Sequence, residues 1–346
     1  MKKLFHRLSV ITLVVLLGLT IIVSAPQIHA QSLPKVKYAL DWAWQSSHSA
    51  WTIAEDLGYF KEAGLDVTID RGYGSAATMG KVAAKAYNFG YAPVNALIKF
   101  NHENPNDQLI MVLCFYEVSP EAVIYLKKSG IKTPKDLEGR TLSATQGEGT
   151  HLMFPIFAKA NNLDMNKISW KYVEPQLRDT LVIQGHADAT VGWVTTTALN
   201  MVGAGVPRED IGYLLYSSYG AQLYSSGLIT RKDYAEQNPE VVRAFVKASI
   251  RGIRELVANP EKAMESLKKR DPLINVKVEL MRQQLLNEIA LLTPNTVKNG
   301  ISDVNKARFD RTAIDVATAF GLNIKPKLED VYTDKFLPPK SERMLK

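Results

Sequence analysis

Apolar and polar positions along this chain switch repeatedly between a period of two and a helical period. Val36 to Leu40 is β-like, Ala50 to Leu57 has helical spacing closed by Gly58, and Leu65-Asp66-Val67-Thr68-Ile69 alternates as a half-buried strand does. Gly72-Tyr73-Gly74-Ser75 then turns into a helix over 76–86. Tyr87 to Ala92 reads as a third strand, Val94 to Phe100 as a helix, and Leu109 to Tyr116 as a strand. Strands alternating with helices predict a mostly parallel sheet covered on both faces.

The pattern restarts after the short strand Ala122 to Leu126. Thr133-Pro134 opens a short helix, Arg140 to Ala144 is a strand that runs into a glycine turn, and a helix follows over 151–160. Strands at 168–173, 187–193 and 211–216 alternate with helices at 177–184 and 196–202, a second α/β unit. Past Gly227 the sequence reads as helical. Pro239 to Ala258 carries a stripe of Val241, Val242, Phe245, Val246, Ile250, Ile253 and Val257, started by Asn238-Pro239 and stopped by Asn259-Pro260. Further helices are predicted at 263–269, 276–292 and 303–320, and the proline-rich, charged end from Pro326 reads as a surface tail. Two α/β units and a helical end imply two lobes around a cleft. In open α/β sheets, ligands sit beyond the carboxyl ends of the strands.

A chain of 346 residues is long enough for two lobes, since single cores rarely grow past about 250 residues. Residues 1–30 read as a cleavable export signal: Lys2, Lys3 and Arg7, an apolar run from Leu8 to Val23, and Ile28-His29-Ala30 with a small residue at the cut site. The competing reading is an uncleaved anchor, because the apolar run approaches membrane-spanning length. Removing the three leader cations takes the formal net charge from +7 to +4, and the remaining Lys and Arg are spread rather than clustered, which argues against nucleic acid. No cysteine follows the apolar run to accept a lipid. The lone Cys114, in LIMVLCF, reads as a buried packing residue and can form no internal disulfide. Export without disulfides fits a Gram-negative periplasm.

At DW(x5)H (Asp41, Trp42, His48), GYFKEAGLDV, IYLKKSGIKTPKDLEGR, QGHADATVGW and NPEVVRAFVKASIRGIRELVANPEKA, the chain resembles the periplasmic solute-binding subunits of nitrate, sulfonate and taurine ABC importers. Within that superfamily it is most similar to the branch that binds, or in fungi makes, the thiamine pyrimidine. The resemblance implies an α/β, two-lobe, type II periplasmic binding architecture, with the helical C-terminal part packed on lobe one. Lobe one would take 33–120 and 226–346, and lobe two 121–225. Periplasmic binding proteins close over their ligand by hinge motion, and a permease and ATPase complex then has to recognise only the closed form. A monomer with no cofactor and no metal is implied.

Trp42, Trp44, Gln45 and His48 are the first candidate contacts, since an aromatic beside a neutral His and an amide suits a flat polar ring. Gly74-Ser75-Ala76 and Gln146-Gly147-Glu148-Gly149-Thr150 each follow a strand and open a helix, so their N–H groups are expected to face the cleft. Neither has phosphate-loop spacing. Glu148 is expected to disfavour simple anions and to pair with an amino-bearing edge. Asn95, Trp193, Tyr219 and Tyr224 complete the candidate set, with core packing as the alternative for each aromatic. The favoured ligand is a small aromatic or heterocyclic solute such as a thiamine-related pyrimidine, and the alternative is a sulfonate, taurine or similar anion. The related fungal synthases use a lysine, histidines and a cysteine-rich loop, and consume pyridoxal phosphate. Here the matching positions hold Ala92, Ala96 and the cysteine-free Tyr219 to Tyr224, so binding without catalysis is expected. GxSxG and HExxH are absent. A sensory role, reporting to a receptor, stays open at this point.

Overall fold

A computed structural model of the chain describes residues 33–345, so the export signal expected over 1–30 lies outside the described residues. Ten strands form two five-stranded sheets. β1 (Lys35–Ala39), β2 (Asp66–Asp70), β3 (Phe89–Pro93) and β4 (Leu109–Cys114) belong to the first. The second holds β5 (Glu121–Leu126), β6 (Thr141–Ala144), β7 (Ser169–Tyr172), β8 (Ala189–Trp193) and β9 (Ile211–Leu215). β10 (Ser226–Arg231) then returns to the first, giving the orders β2-β1-β3-β10-β4 and β7-β6-β8-β5-β9.

The sheets are mixed, not simply parallel. β1 pairs in parallel with β2 and β3, and β6 with β7 and β8, whereas β10 runs antiparallel to β3 and β4, and β5 antiparallel to β8 and β9. The reason is the route of the chain. It leaves each sheet at the strand ends that face the cleft and enters the other sheet from that same side, so each entering strand must run backwards. The two crossings pair with each other: Ser225 N–H donates to Tyr116 O at 3.2 Å and Ser119 N–H to Leu223 O at 3.3 Å. β10 was not expected from the sequence. Its Gly227 explains why a strand fits: a side chain there would sit 2.0 Å from Leu113 O, so only glycine allows β4 this close.

Helices α1 (Ser49–Asp56), α2 (Tyr59–Glu62), α3 (Ser75–Ala83) and α4 (Val94–Glu103) flank the first sheet. α5 (Gly149–Ala160), α6 (Pro175–Ile183) and α7 (Val194–Gly203) flank the second. The last third of the chain adds α8 (Lys232–Gln237), α9 (Pro239–Ala258), α10 (Pro260–Lys268), α11 (Val276–Leu286), α12 (Pro294–Asn299) and α13 (Lys306–Ala319). The apolar stripe of α9 lies against α1, where Gly252 backs onto Ala50 O and Trp51 Nε1 donates to Ser249 Oγ at 3.1 Å. Phe245 stacks on Phe89 at 4.3 Å and on Phe60 at 5.0 Å, which fixes α9 over the sheet. The C-terminal segment is no loose tail. Tyr332 bridges to Met111, Thr333 N–H donates to Met111 O at 3.0 Å, and Val331 and Phe336 are buried, so the segment covers the β4 edge. Among the described residues no helix is long and apolar enough to cross a membrane.

Candidate functional site

The loop after β1 is pinned by the loop after β2. Gly72 N–H donates to Trp42 O at 2.9 Å and Gly74 N–H to Asp41 O at 2.7 Å. A side chain at Gly72 would meet Leu40 O at 2.1 Å, so this close approach requires glycine. The result is a fixed platform that carries Asp41, Trp42 and Gln45 into the space between the lobes. That space is a cavity of about 440 Å³ with its open mouth included. Lobe one lines it with Asp41, Trp42, Gln45, Ser47, Ser75, Pro93 and Ser226. Lobe two contributes Glu148, Gly149, Thr150, Arg178, Trp193 and Thr196. They stand at the cleft-facing ends of β3, β8 and β10, on the turns after β1 and β6, and at the N-terminal ends of α3, α5, α6 and α7.

Of the residues singled out in the sequence, Trp42, Gln45, Ser75, Glu148, Thr150 and Trp193 are brought together here. Others are placed elsewhere for identifiable reasons. His48 is 1% exposed behind the cavity wall, with Nε2 3.4 Å from Asp41 Oδ1 and its ring edge-on to Tyr91. Asn95 is fully buried, and its amide donates to Tyr224 O at 2.8 Å, fastening α4 to the return crossing. Tyr224 is buried too, its hydroxyl accepting from Asn305 N–H at 3.0 Å with Arg308 over its ring. Tyr219 packs edge-on against Phe157, Gln146 is exposed on the lip, and Trp44 packs on the lobe-one core.

The two glycine turns also behave differently from expectation. Ala76 N–H donates to Gly147 O at 3.0 Å, so the turn holding Gly74 and the turn holding Gly147 grip each other across the cleft. Those groups close the lips rather than face a ligand. The lobes are thus in contact, and the structure is a closed form.

Arg178 was not anticipated, and it reorganises the electrostatics. This guanidinium is 3% exposed and donates to Glu148 Oε2 at 2.5 Å, Asp179 Oδ1 at 2.9 Å and Thr197 Oγ1 at 2.7 Å. It also sits 5.1 Å over the Trp42 ring, a cation–π contact across the cleft. Burial pushes Glu148 up to about 7 against the pull of Arg178. Burial would lower Arg178, but Asp179 and Glu148 outweigh it and hold the guanidinium charged. The only trace of Arg178 in the sequence is its place four residues before the buried Val182, on the inward face of α6.

Asp41 is the second acid of the cavity, its Oδ2 accepting from Ser75 Oγ at 3.1 Å. Ser75, Asp41 and His48 do not make a nucleophilic relay, since the carboxylate stands between the hydroxyl and the imidazole. Gln45 is oriented from behind: Oε1 accepts from Arg282 at 2.8 Å and from Thr196 Oγ1 at 2.9 Å. Because arginine can only donate, the amide oxygen must face Arg282, and the NH₂ is left for the cavity. Among the described residues, the buried hydroxyls of Ser47 and Ser226 have no protein partner, and both line the cavity. The site therefore offers flat indole faces, carboxylate acceptors, an amide donor and two open hydroxyls. Among the described residues no cluster of three or more His, Cys, Asp or Glu could hold a metal ion. Cys114 is buried, its thiol pushed up to about 12 by burial.

Comparison with known proteins gives four findings. The profile of the family described as NMT1/THI5 like matches residues 45–263. The chain is 21% identical over 319 residues to the riboflavin-binding protein RibY of Chloroflexus aurantiacus, covering 91% of this chain and 90% of that one. It is 26% identical over 242 residues to the formylaminopyrimidine-binding protein of Halalkalibacterium halodurans, covering 68% and 71%. Among solved structures, the alkanesulfonate-binding protein SsuA from Xanthomonas axonopodis pv. citri, bound to MOPS, aligns with a TM-score of 0.65 at 15% identity, covering 86% of this chain and 98% of that one.

Proposed function

Because the chain belongs to the NMT1/THI5-like family, we propose that it is the solute-capturing component of an ABC importer, selective for a small, flat, amino-bearing heterocycle such as an aminopyrimidine. It would work outside the cytoplasmic membrane, in the periplasm, handing its ligand to a permease and ATPase complex. Lobe one would span 33–120 and 226–346 and lobe two 121–225, hinged at the paired crossings. One observation carries the reading. Trp42 and Trp193 flank a closed interlobe cavity in which Asp41 and Glu148 can accept and the Gln45 amide can donate. An aminopyrimidine edge presents the complement, an N–H₂ beside a ring nitrogen. The formylaminopyrimidine- and riboflavin-binding relatives support a heteroaromatic ligand.

The charge balance supports the same choice. Asp41 lines the cavity beside the Glu148–Arg178 pair, and Arg178 also serves Asp179, so a sulfonate would find this guanidinium already taken by two carboxylates. Arg178 gives the second reading its support: a cation in the cavity, and a fold shared with an alkanesulfonate-binding protein, are what an anion binder would show. The first reading prevails because Arg178 already serves two carboxylates. Catalysis is not proposed, since the positions of the synthase lysine and cysteines hold other residues.

Tryptophan fluorescence tests the site directly. Titrating formylaminopyrimidine into ligand-stripped protein is expected to perturb the emission, and Trp42→Ala to weaken binding at least about tenfold, the scale of a lost aromatic anchor. Unchanged affinity in Trp42→Ala would remove the stacking wall from the account.

A further inference from the structure

Arg282 is a cation buried at the seam between the lobes. It stands on α11, far beyond both crossings, and is 3% exposed. One guanidinium nitrogen donates to Gln45 Oε1 at 2.8 Å, on the lobe-one platform. Another donates to Asn200 Oδ1 at 3.0 Å, on α7 of lobe two. Its Nε pairs by charge with Glu279 Oε2 at 3.2 Å without a hydrogen bond, and that oxygen accepts from Ser46 N–H at 2.6 Å.

The lobe-two side continues the chain of contacts. Asn200 Nδ2 donates to Asp179 Oδ2 at 2.8 Å, and Asp179 Oδ1 accepts from Arg178 Nε at 2.9 Å. Thr196, also on α7, closes the ring by donating to Gln45. The network leaves the cavity at Arg178, passes through Asp179, Asn200 and Arg282, and re-enters the cavity at Gln45. Its members belong to both lobes in about equal measure.

From this arrangement we infer that Arg282 is a positioning residue that bolts the cleft shut and, in the same act, fixes the Gln45 amide for the ligand. A buried guanidinium is costly unless its N–H groups are met. In the closed form Asn200 meets one of them. Opening takes Asn200 and Thr196 away with lobe two, so Arg282 loses a charge-assisted bond and Gln45 loses one of the two donors that orient it. Closure is thereby favoured by contacts that never touch the ligand, a differential interaction of the kind that shifts a two-state equilibrium. The last third of the chain then does more than cover the first sheet, because α11 supplies the part that recognises the closed lobe.

The proposal rests on reading the molecule as a closing binder, but not on which ligand it takes, and its test needs no ligand. Tyr73 and Gln146 are exposed on the two facing lips, so spin labels on cysteines at these positions report how far apart the lips stand. Cys114 is buried and does not compete for the label. In ligand-stripped protein carrying Tyr73→Cys and Gln146→Cys, the distance distribution from pulsed electron spin resonance reads the closed and open populations. Adding Arg282→Met is expected to lower the closed-to-open ratio about tenfold or more, and Asn200→Ala by at least about threefold, as the loss of a hydrogen bond to a charged group implies. Asn200 is itself exposed, so Asn200→Ala is expected to fold, and it decides the matter if Arg282→Met does not. A ratio lowered by less than about threefold in folded Asn200→Ala overturns the proposal. Failure of the aminopyrimidine reading would leave these populations unchanged.

Discussion

Replacing Arg178 with leucine is expected to destabilise the protein by about 3–5 kcal/mol, the scale for breaking a buried ion pair from one side. The cost comes from what is left behind. Glu148 and Asp179 are 3% and 7% exposed, and both lose their principal counter-charge when the guanidinium goes. Thr197 loses a donor, and Trp42 loses the cation over its ring. Urea unfolding at neutral pH should show the loss as a lower midpoint. The double variant Arg178→Leu with Glu148→Gln should recover part of it, because the uncompensated carboxylate is then gone. If the double variant is as unstable as the two single losses combined, the carboxylate is not the source of the cost.

The second large effect is a pH dependence. Glu121 opens β5 opposite Trp193, is 2% exposed, and has one carboxyl oxygen without a partner among the described residues. Burial pushes it up to about 8, against the hydrogen bond from Ser119 and with some help from Glu148. Its ordinary value is 4.5, so between about 4.5 and 8 the folded state keeps a proton that the unfolded state has released. Stability from this group is therefore complete below about 4.5, falls as pH rises, and levels off above about 8, a loss on the order of a few kcal/mol. Glu148 acts in the same sense up to about 7. Glu121→Gln keeps the neutral form at every pH and should flatten the fall, leaving the variant more stable than the parent at pH 9. Parallel stability–pH curves for parent and variant would show that Glu121 is ionised in the fold.

Much of the scaffold is written locally and could be read from the sequence. Strands such as Leu109–Cys114 and the stripe of α9 carry their burial in their own periodicity. β10 and the covering of the β4 edge by the C-terminal segment could not be read this way, because both are decided by distant partners, namely the close backbone at Gly227 and Tyr332 on Met111. Antiparallel entry of β5 and β10 is likewise a consequence of the route between lobes, which no local pattern records.

The site divides in the same manner. Trp42, Ser75, Glu148, Thr150 and Trp193 follow strands directly, and the rule that ligands lie past strand ends finds them. Asn95 and Tyr224 follow strands or crossings too, yet they fasten the return crossing in place, since nothing in the sequence tells which way a side chain turns from a strand end. Arg178 and Arg282 escaped notice because each is a lone cation in a helix, and such residues usually lie on solvated faces. Only the juxtaposition of helices across the cleft shows them to be buried and paired. That juxtaposition also revised the role of Glu148. It is half of an ion pair rather than a free carboxylate, so the proposed exclusion of anions rests more on Asp41.

The central claim is that the cavity accepts an amino-bearing heteroaromatic ring and rejects a simple anion. Thermal unfolding of ligand-stripped protein measures this most directly, because stabilisation follows RT ln(1 + [L]/Kd) for any ligand that binds only the folded state. Formylaminopyrimidine, riboflavin, taurine and an alkanesulfonate should be compared at equal concentration. The account predicts a rise in midpoint with the aminopyrimidine, abolished in Trp42→Ala, and none with taurine or the sulfonate. A rise with the sulfonate or taurine and none with either heteroaromatic compound would contradict it.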